Sequence, residues 1–264
     1  MRSSLRNHNR IVIKIGTSTL TYESGRLNLK RINKLAWVLA DLRNQGKEVI
    51  LVSSGAIAVG VERLGLQERP RDIIGRQAAS AVGQAALMQI YESFFAEYNQ
   101  KVAQLLLTRD VVEHEVRRKN TENTFFKLLS LGILPIVNEN DTVSTDELDF
   151  SFSENDTLSA HVACLTNSDL LIMLSDIDGL FDSDPRINPD AKRIPYIDNI
   201  NGDIFGYAGN SHGALGTGGM ASKVSAAEMV AQKGIDTVIA SGDRPEIIFD
   251  IINGSDIGTY FKHY

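Results

Sequence analysis

The sequence has one cysteine, Cys164, in 264 residues. That excludes an intramolecular disulfide framework and suits a reducing compartment. Basic residues are not in excess: 27 lysines and arginines stand against 33 acids, a formal net charge of −6. No run of basic residues forms a patch, so nucleic acid is not an expected partner. No apolar run approaches the ~18 residues of a membrane span, and Met1-Arg-Ser-Ser-Leu-Arg-Asn-His8 lacks an apolar signal core. A soluble, cytoplasmic protein without membrane association is therefore expected, and the sequons at Asn140, Asn155 and Asn253 carry little meaning. Histidines 8, 114, 161, 212 and 263 are scattered, with no metal-ligand spacing to Cys164 or to the carboxylates, so no protein-held metal is expected. Neither Gly-x-Gly-x-x-Gly after a strand nor Gly-x4-Gly-Lys-[Ser/Thr] occurs. A dinucleotide fold is disfavoured and a standard P-loop is excluded.

What is present is core-forming material: 43% of the residues are hydrophobic. Apolar, β-branched runs of strand length recur at Ile11–Ile15, Val49–Val52, Val102–Leu107, Ile133–Val137, Leu170–Leu174 and Thr237–Ala240. Segments of helical period lie between several of them. Asn28–Gln45 carries Leu29, Ile32, Leu35, Ala36, Leu39 and Leu42 before Gly46; Thr217–Lys233 carries Met220, Val224, Ala227 and Ala231 before Gly234. Continuous apolar strands alternating with helices predict an α/β fold: a three-layer α-β-α sandwich around a mostly parallel, open central sheet. With no linker or repeat, residues 1–264 read as one domain, and the Asp/Asn/Gly/Pro-rich stretch Asp178–Ser211 as a loop region inside it.

Ligands of such sheets gather where strands run out into helices. The first run ends Ile13-Lys14-Ile15-Gly16-Thr17-Ser18. A lysine there either reaches an anion, with Gly16 admitting a ligand to the backbone, or snorkels out of an edge strand. The second ends Ser53-Ser54-Gly55-Ala56, which is either an anion site or ordinary helix capping. Asn138-Glu139-Asn140-Asp141 and Glu154-Asn155-Asp156-Thr157 place amide and carboxylate tips around one short excursion, although each alone also reads as a turn or cap. Ser175-Asp176 follows another strand. Gly216-Thr217-Gly218-Gly219-Met220-Ala221-Ser222-Lys223 puts a glycine-rich loop before a helix, where Lys223 either meets the same anion or is simply solvated. Tyr91, Phe94, Phe95 and Tyr98 read as helix packing.

Taken in order, these motifs, together with Arg76-Gln77-Ala78-x-x-Ala81-Val82-Gly83-Gln84 and Ser175-Asp176-x-x-Gly179-Leu180, resemble those of the glutamate 5-kinases, a family of the amino-acid kinase superfamily. The resemblance spans essentially the whole chain. It implies the amino-acid kinase fold and ATP-dependent phosphorylation of the γ-carboxylate of L-glutamate, the first step of proline biosynthesis. By position, Lys14 and Lys223 would contact the phosphates and the transferring group, and Asp156 would orient both lysines. Ser54, Gly55, Asp141 and Asn155 would hold glutamate. Lys14, Gly16, Ser175, Asp176, Thr217, Gly218, Gly219, Met220, Ala221, Ser222 and Lys223 would bind ATP, with Mg²⁺ arriving on the nucleotide. The family also implies feedback inhibition by proline and a homo-oligomer. Many members carry a C-terminal PUA domain, which a chain ending at Tyr264 is expected to lack.

The implied chemistry needs no general base, because a carboxylate is already ionised at neutral pH. Its obstacle is the approach of two anions, which fixed cations and backbone amides relieve. Within the same fold the rival reading is a kinase for acetylglutamate or aspartate. Outside catalysis it is an amino-acid sensor that binds without turning over ATP.

Overall fold

The computed structural model describes residues 2–108, 110–143, 155–209 and 219–264. A short 3₁₀ turn, Arg2–Asn7, leads into β1 (Arg10–Ile15), α1 (Thr17–Leu20) and α2 (Leu29–Asn44). Then come β2 (Glu48–Ser53), α3 (Ala56–Arg63), α4 (Ile73–Glu97), β3 (Lys101–Leu107), α5 (Asp110–Glu113), α6 (Glu115–Ser130) and β4 (Ile133–Glu139). The chain continues through α7 (Asn155–Leu165), β5 (Leu170–Ser175), β6 (Tyr196–Ile197), α8 (Gly202–Ala208), α9 (Met220–Ala231), β7 (Asp236–Ser241), α10 (Ile247–Ile252) and β8 (Thr259–Phe261).

Among the described residues the strands form one eight-stranded sheet in the order β3-β4-β2-β1-β5-β7-β8-β6. β1 pairs in parallel with β2 and β5, and β7 meets β8 antiparallel, so the sheet is mostly parallel and open, as expected. All six apolar runs are strands. The two short strands β6 and β8 were not foreseen, because two or three residues carry no readable period. β6 and α8 also give structure to part of the stretch read as loop.

Strand pleating divides the core in two. On one face Ile11, Ile13 and Ile15 of β1 meet Ile32, Leu35 and Leu39 of α2 and Leu87, Tyr91 and Phe95 of α4. On the other, Val12 joins Leu158 and Val162 of α7, and Val224 and Ala227 of α9. This is the three-layer sandwich. α2 starts where its cap chemistry says it should, with the Asn28 side chain accepting from Arg31 N–H.

Two consequences position the site. β1 is central, so the edge-strand reading of Lys14 is wrong. Its side chain also shares the face of Val12, which turns it toward α7 and α9. Separately, α3 and α4 cross almost backbone to backbone: a Cβ on Gly60 would fall 1.8 Å from the Ala79 carbonyl oxygen, and one on Gly83 1.8 Å from that of Ala56. Only glycine allows that approach, and it brings α4 under the end of β2.

Candidate active site

At the carboxyl ends of β1, β2, β4 and β5 lies a cavity of about 1160 Å³. Besides the single turn α1 after Gly16, three longer helices begin at its rim. α3 starts after Gly55, held at φ +100 in the left-handed region, which turns the chain sharply from strand to helix. α7 opens with Asn155 and Asp156, and α9 opens after Gly219. Helix N-termini direct unpaired N–H groups and a positive dipole end outward, a setting suited to anions.

Asp156 sits between α7 and the sheet and is 1% exposed; Lys14 and Lys223 are each 6% exposed. Lys14 Nζ lies 2.7 Å from Asp156 Oδ1, and Lys223 Nζ lies 3.1 Å from Oδ2. The sheet order brings these residues together, and local geometry turns each side chain inward. Lys14 follows the pleat of Val12, Asp156 shares the buried side of α7 with Ser159, Ala160 and Ala163, and Lys223 lies one turn into α9 beside Val224. Burial alone would raise the Asp156 carboxyl, but the two lysines outweigh it and hold it below the ordinary carboxylate range. One negative and two positive charges leave a net positive site facing the cavity. Asp156 has both oxygens committed to cations and is not a free metal ligand.

Beside the lysines lies a neutral and acidic group. The Asn155 amide donates to Ser54 Oγ at 2.7 Å and to Asn138 Oδ1 at 3.2 Å. Asn138 in turn donates to Gln84 Oε1 at 2.8 Å, and the Ser80 hydroxyl of α4 donates to Asp141. Arg69 lines the same end; burial lowers its pKa, nearby Arg76 adds to the effect and Asp141 opposes it. On another side Ser175 donates to Asp176 at 3.0 Å, with Ile177, Phe181 and Pro185 adding apolar surface.

Most residues singled out in the sequence share this cavity: Lys14, Gly16, Ser54, Gly55, Asp141, Asn155, Asp156, Ser175, Asp176, Gly219, Met220 and Lys223 all line it. Ala221 and Ser222 do not. Helical turning carries Ala221 toward the core, while Ser222 reaches the centre only indirectly, donating to Asp156 Oδ2 at 3.3 Å. Thr217 and Gly218 lie outside the described residues. Asn138 belongs to the polar cluster and Gln84 to a family motif read in the sequence, but neither carries an individual role there, and Ser80 and Arg69 are not singled out at all. Ser80 and Gln84 did carry a signal, being polar residues four apart in the buried stripe that continues through Leu87 and Tyr91.

The Amino acid kinase family profile matches residues 9–241. A glutamate 5-kinase of Clostridium perfringens is 54% identical over 99% of this chain and 98% of its own length. A glutamate 5-kinase of Enterococcus faecalis is 52% identical over 99% of this chain and 97% of its own. The chain belongs to the glutamate 5-kinase branch of the amino acid kinase family. Solved structures place this amino acid kinase among its wider relatives. The T. acidophilum isopentenyl phosphate kinase superimposes with a TM-score of 0.62 at 20% identity, covering 96% of this chain and 100% of that one. UMP kinase from Bacillus anthracis gives 0.65 at 18%, covering 97% and 96%. At such identities the likeness concerns the kinase fold alone. No helix among the described residues is long and apolar enough to cross a membrane.

Proposed function

We propose that this kinase transfers the γ-phosphoryl group of ATP to the γ-carboxylate of L-glutamate, giving glutamate 5-phosphate and ADP, the first step of proline biosynthesis. The observation that carries the reading is the pair of buried lysines on Asp156, opening into one cavity beside the Ser54, Asn138, Asp141 and Asn155 cluster. A volume of about 1160 Å³ has room for a nucleotide and an amino acid together.

In this reaction a glutamate carboxylate oxygen forms a bond to the γ-phosphorus while the bond to the β,γ-bridging oxygen breaks, and ADP leaves with that electron pair. No proton moves. The residues therefore serve electrostatics and placement. Lys14 and Lys223 neutralise charge on the transferring group, and Asp156 keeps both ammonium groups aimed at it. Ser54, Gly55, Asp141 and Asn155 hold the acceptor. Gly16, Ser175, Asp176, Gly219 and Met220 face the nucleotide; Thr217 and Gly218 join them by their place in the family motif, and Ser222 acts only through its bond to Asp156. Mg²⁺ would enter on ATP and supply further neutralisation of phosphate charge.

The further expectations stay part of this reading: one kinase domain over residues 1–264, a cytoplasmic homo-oligomer, and feedback inhibition by proline. The test is ADP release with L-glutamate, with and without proline, against acetylglutamate, aspartate and UMP. The reading predicts turnover with glutamate at least about 100-fold above the alternatives, a discrimination that a site built to hydrogen-bond its substrate can reach. Preferred turnover of another acceptor, or glutamate binding without ADP release, would sink it.

A further inference from the structure

Amide orientation in the acceptor cluster is fixed by donor and acceptor logic. Glu139 N–H can only donate, and it meets Asn138 at 2.9 Å, so the atom it meets is the Asn138 side-chain oxygen. The far end of that amide is then its NH₂, which donates to the Gln84 side-chain oxygen at 2.8 Å. The Asn138 oxygen also receives the Asn155 NH₂ at 3.2 Å, and the same NH₂ faces the Ser53 carbonyl at 3.3 Å and Ser54 Oγ at 2.7 Å. The Asn155 NH₂ is thereby turned toward the sheet. Its side-chain oxygen is buried and has no hydrogen-bond partner among the described residues, in a side chain that lines the cavity. A buried acceptor without a donor is costly, so the position calls for a donor from a ligand. Glutamate at neutral pH offers one donor group, its α-ammonium, since both carboxylates only accept.

We propose that Gln84 is a positioning residue for acceptor recognition: acting through Asn138, it locks the Asn155 amide with its oxygen free for the ammonium of the amino-acid substrate. The inference rests on the glutamate kinase reading and deepens it. Gln84 and Asn138 are 8% and 4% exposed, so water does not readily replace the bond between them. Removing the Gln84 acceptor leaves the Asn138 NH₂ unpaired. Rotating that amide to recover a partner then turns NH₂ groups of Asn138 and Asn155 against each other.

The test is steady-state kinetics of Gln84→Leu and Gln84→Glu, with glutarate as a competitive inhibitor that has both carboxylates and no ammonium. Gln84→Leu should raise the KM for glutamate about 10-fold, the scale of one lost buried hydrogen bond. The KM for ATP and the Ki for glutarate should each stay within about twofold, and kcat within about threefold. Gln84→Glu keeps an acceptor of the same length and should hold the glutamate KM within about threefold of wild type. Adding Gln84→Leu to Asn155→Ala should change nothing further. A folded Gln84→Leu enzyme with an unchanged glutamate KM, or with glutarate and glutamate weakened alike, overturns the proposal. If that variant does not fold, Gln84→Glu decides: a glutamate KM within about threefold supports it, and a larger rise overturns it. A wild-type enzyme without glutamate-dependent turnover would instead remove the reading beneath it.

Discussion

Two aspartates, each 1% exposed, sit at opposite ends of the same sheet. Asp156 lies at the carboxyl ends of the strands between Lys14 and Lys223. Asp236 opens β7 at the amino ends. His8 Nε2 lies 2.9 Å from Asp236 and His263 Nδ1 2.7 Å; the Tyr260 hydroxyl donates to it at 2.8 Å and the His263 N–H at 3.0 Å. Both carboxyls are held below the ordinary range against the opposing effect of burial, Asp236 down to about 2. By burial and charge they look alike. The difference lies in where they face and in what partners them. Asp156 opens on the cavity, and its cations swing on long flexible stems that can be redirected to phosphate. Neither Asp236 nor any of its partners lines the cavity, and those partners tie the first and last segments of the chain to the sheet. A buried carboxylate whose oxygens are fully paired is thus no mark of function by itself; an exchangeable partner at an open cavity is.

Substitutions at the two centres should separate these roles. Lys14→Ala or Lys223→Ala should lower kcat about 100–1,000-fold with a smaller effect on the KM for glutamate, as expected for charge stabilisation lost in the transition state. Near-wild-type turnover in both would break the comparison at its active end. Asp156→Asn should cost about 100-fold in kcat, because the lysines lose their common anchor. Asp236→Asn should behave in the opposite way, losing about 3 kcal/mol of stability in denaturant unfolding while kcat of the folded enzyme stays within about threefold.

Acid should report the same division more gently. A carboxyl depressed from 3.8 to about 2 on folding contributes stability that is complete above its unfolded value and is lost as pH falls through its folded one. Between pH 4 and 2 the wild-type melting temperature should therefore fall more steeply than that of Asp236→Asn. Equal slopes would mean that Asp236 is not the group being protonated. The smallest effect should come from Tyr91→Phe. It removes the 2.8 Å bond to Ser53 Oγ at the end of β2 and should cost about 1 kcal/mol of unfolding free energy with little change in turnover.

Much of this was legible in the sequence, for physical reasons that also mark where reading stops. The central strands are continuous apolar runs because both faces are covered, and Lys14 stood out as a charge inside one of them. Helix α9 announced its start through glycines and its buried side through Met220, Val224 and Ala227. The pairing of Asp156 with two lysines followed from the family likeness. No spacing rule links positions 14, 156 and 223, and only the sheet order brings them together. The support from α4 was hidden differently. Ser80, Gln84 and Tyr91 act through the strand ends, and their reach depends on the α3–α4 crossing at Gly60 and Gly83. Asp236 had no signal at all, since its partners come from both ends of the chain.

The most direct test is a crystal structure of the kinase with ADP, glutamate and a planar metal fluoride in place of the transferring phosphoryl group. Both lysine ammonium groups should lie within about 3 Å of the fluoride plane, with Asp156 still between them and glutamate's side-chain carboxylate in line. A fluoride bound elsewhere, with both lysines still closed on Asp156 alone, would contradict the account.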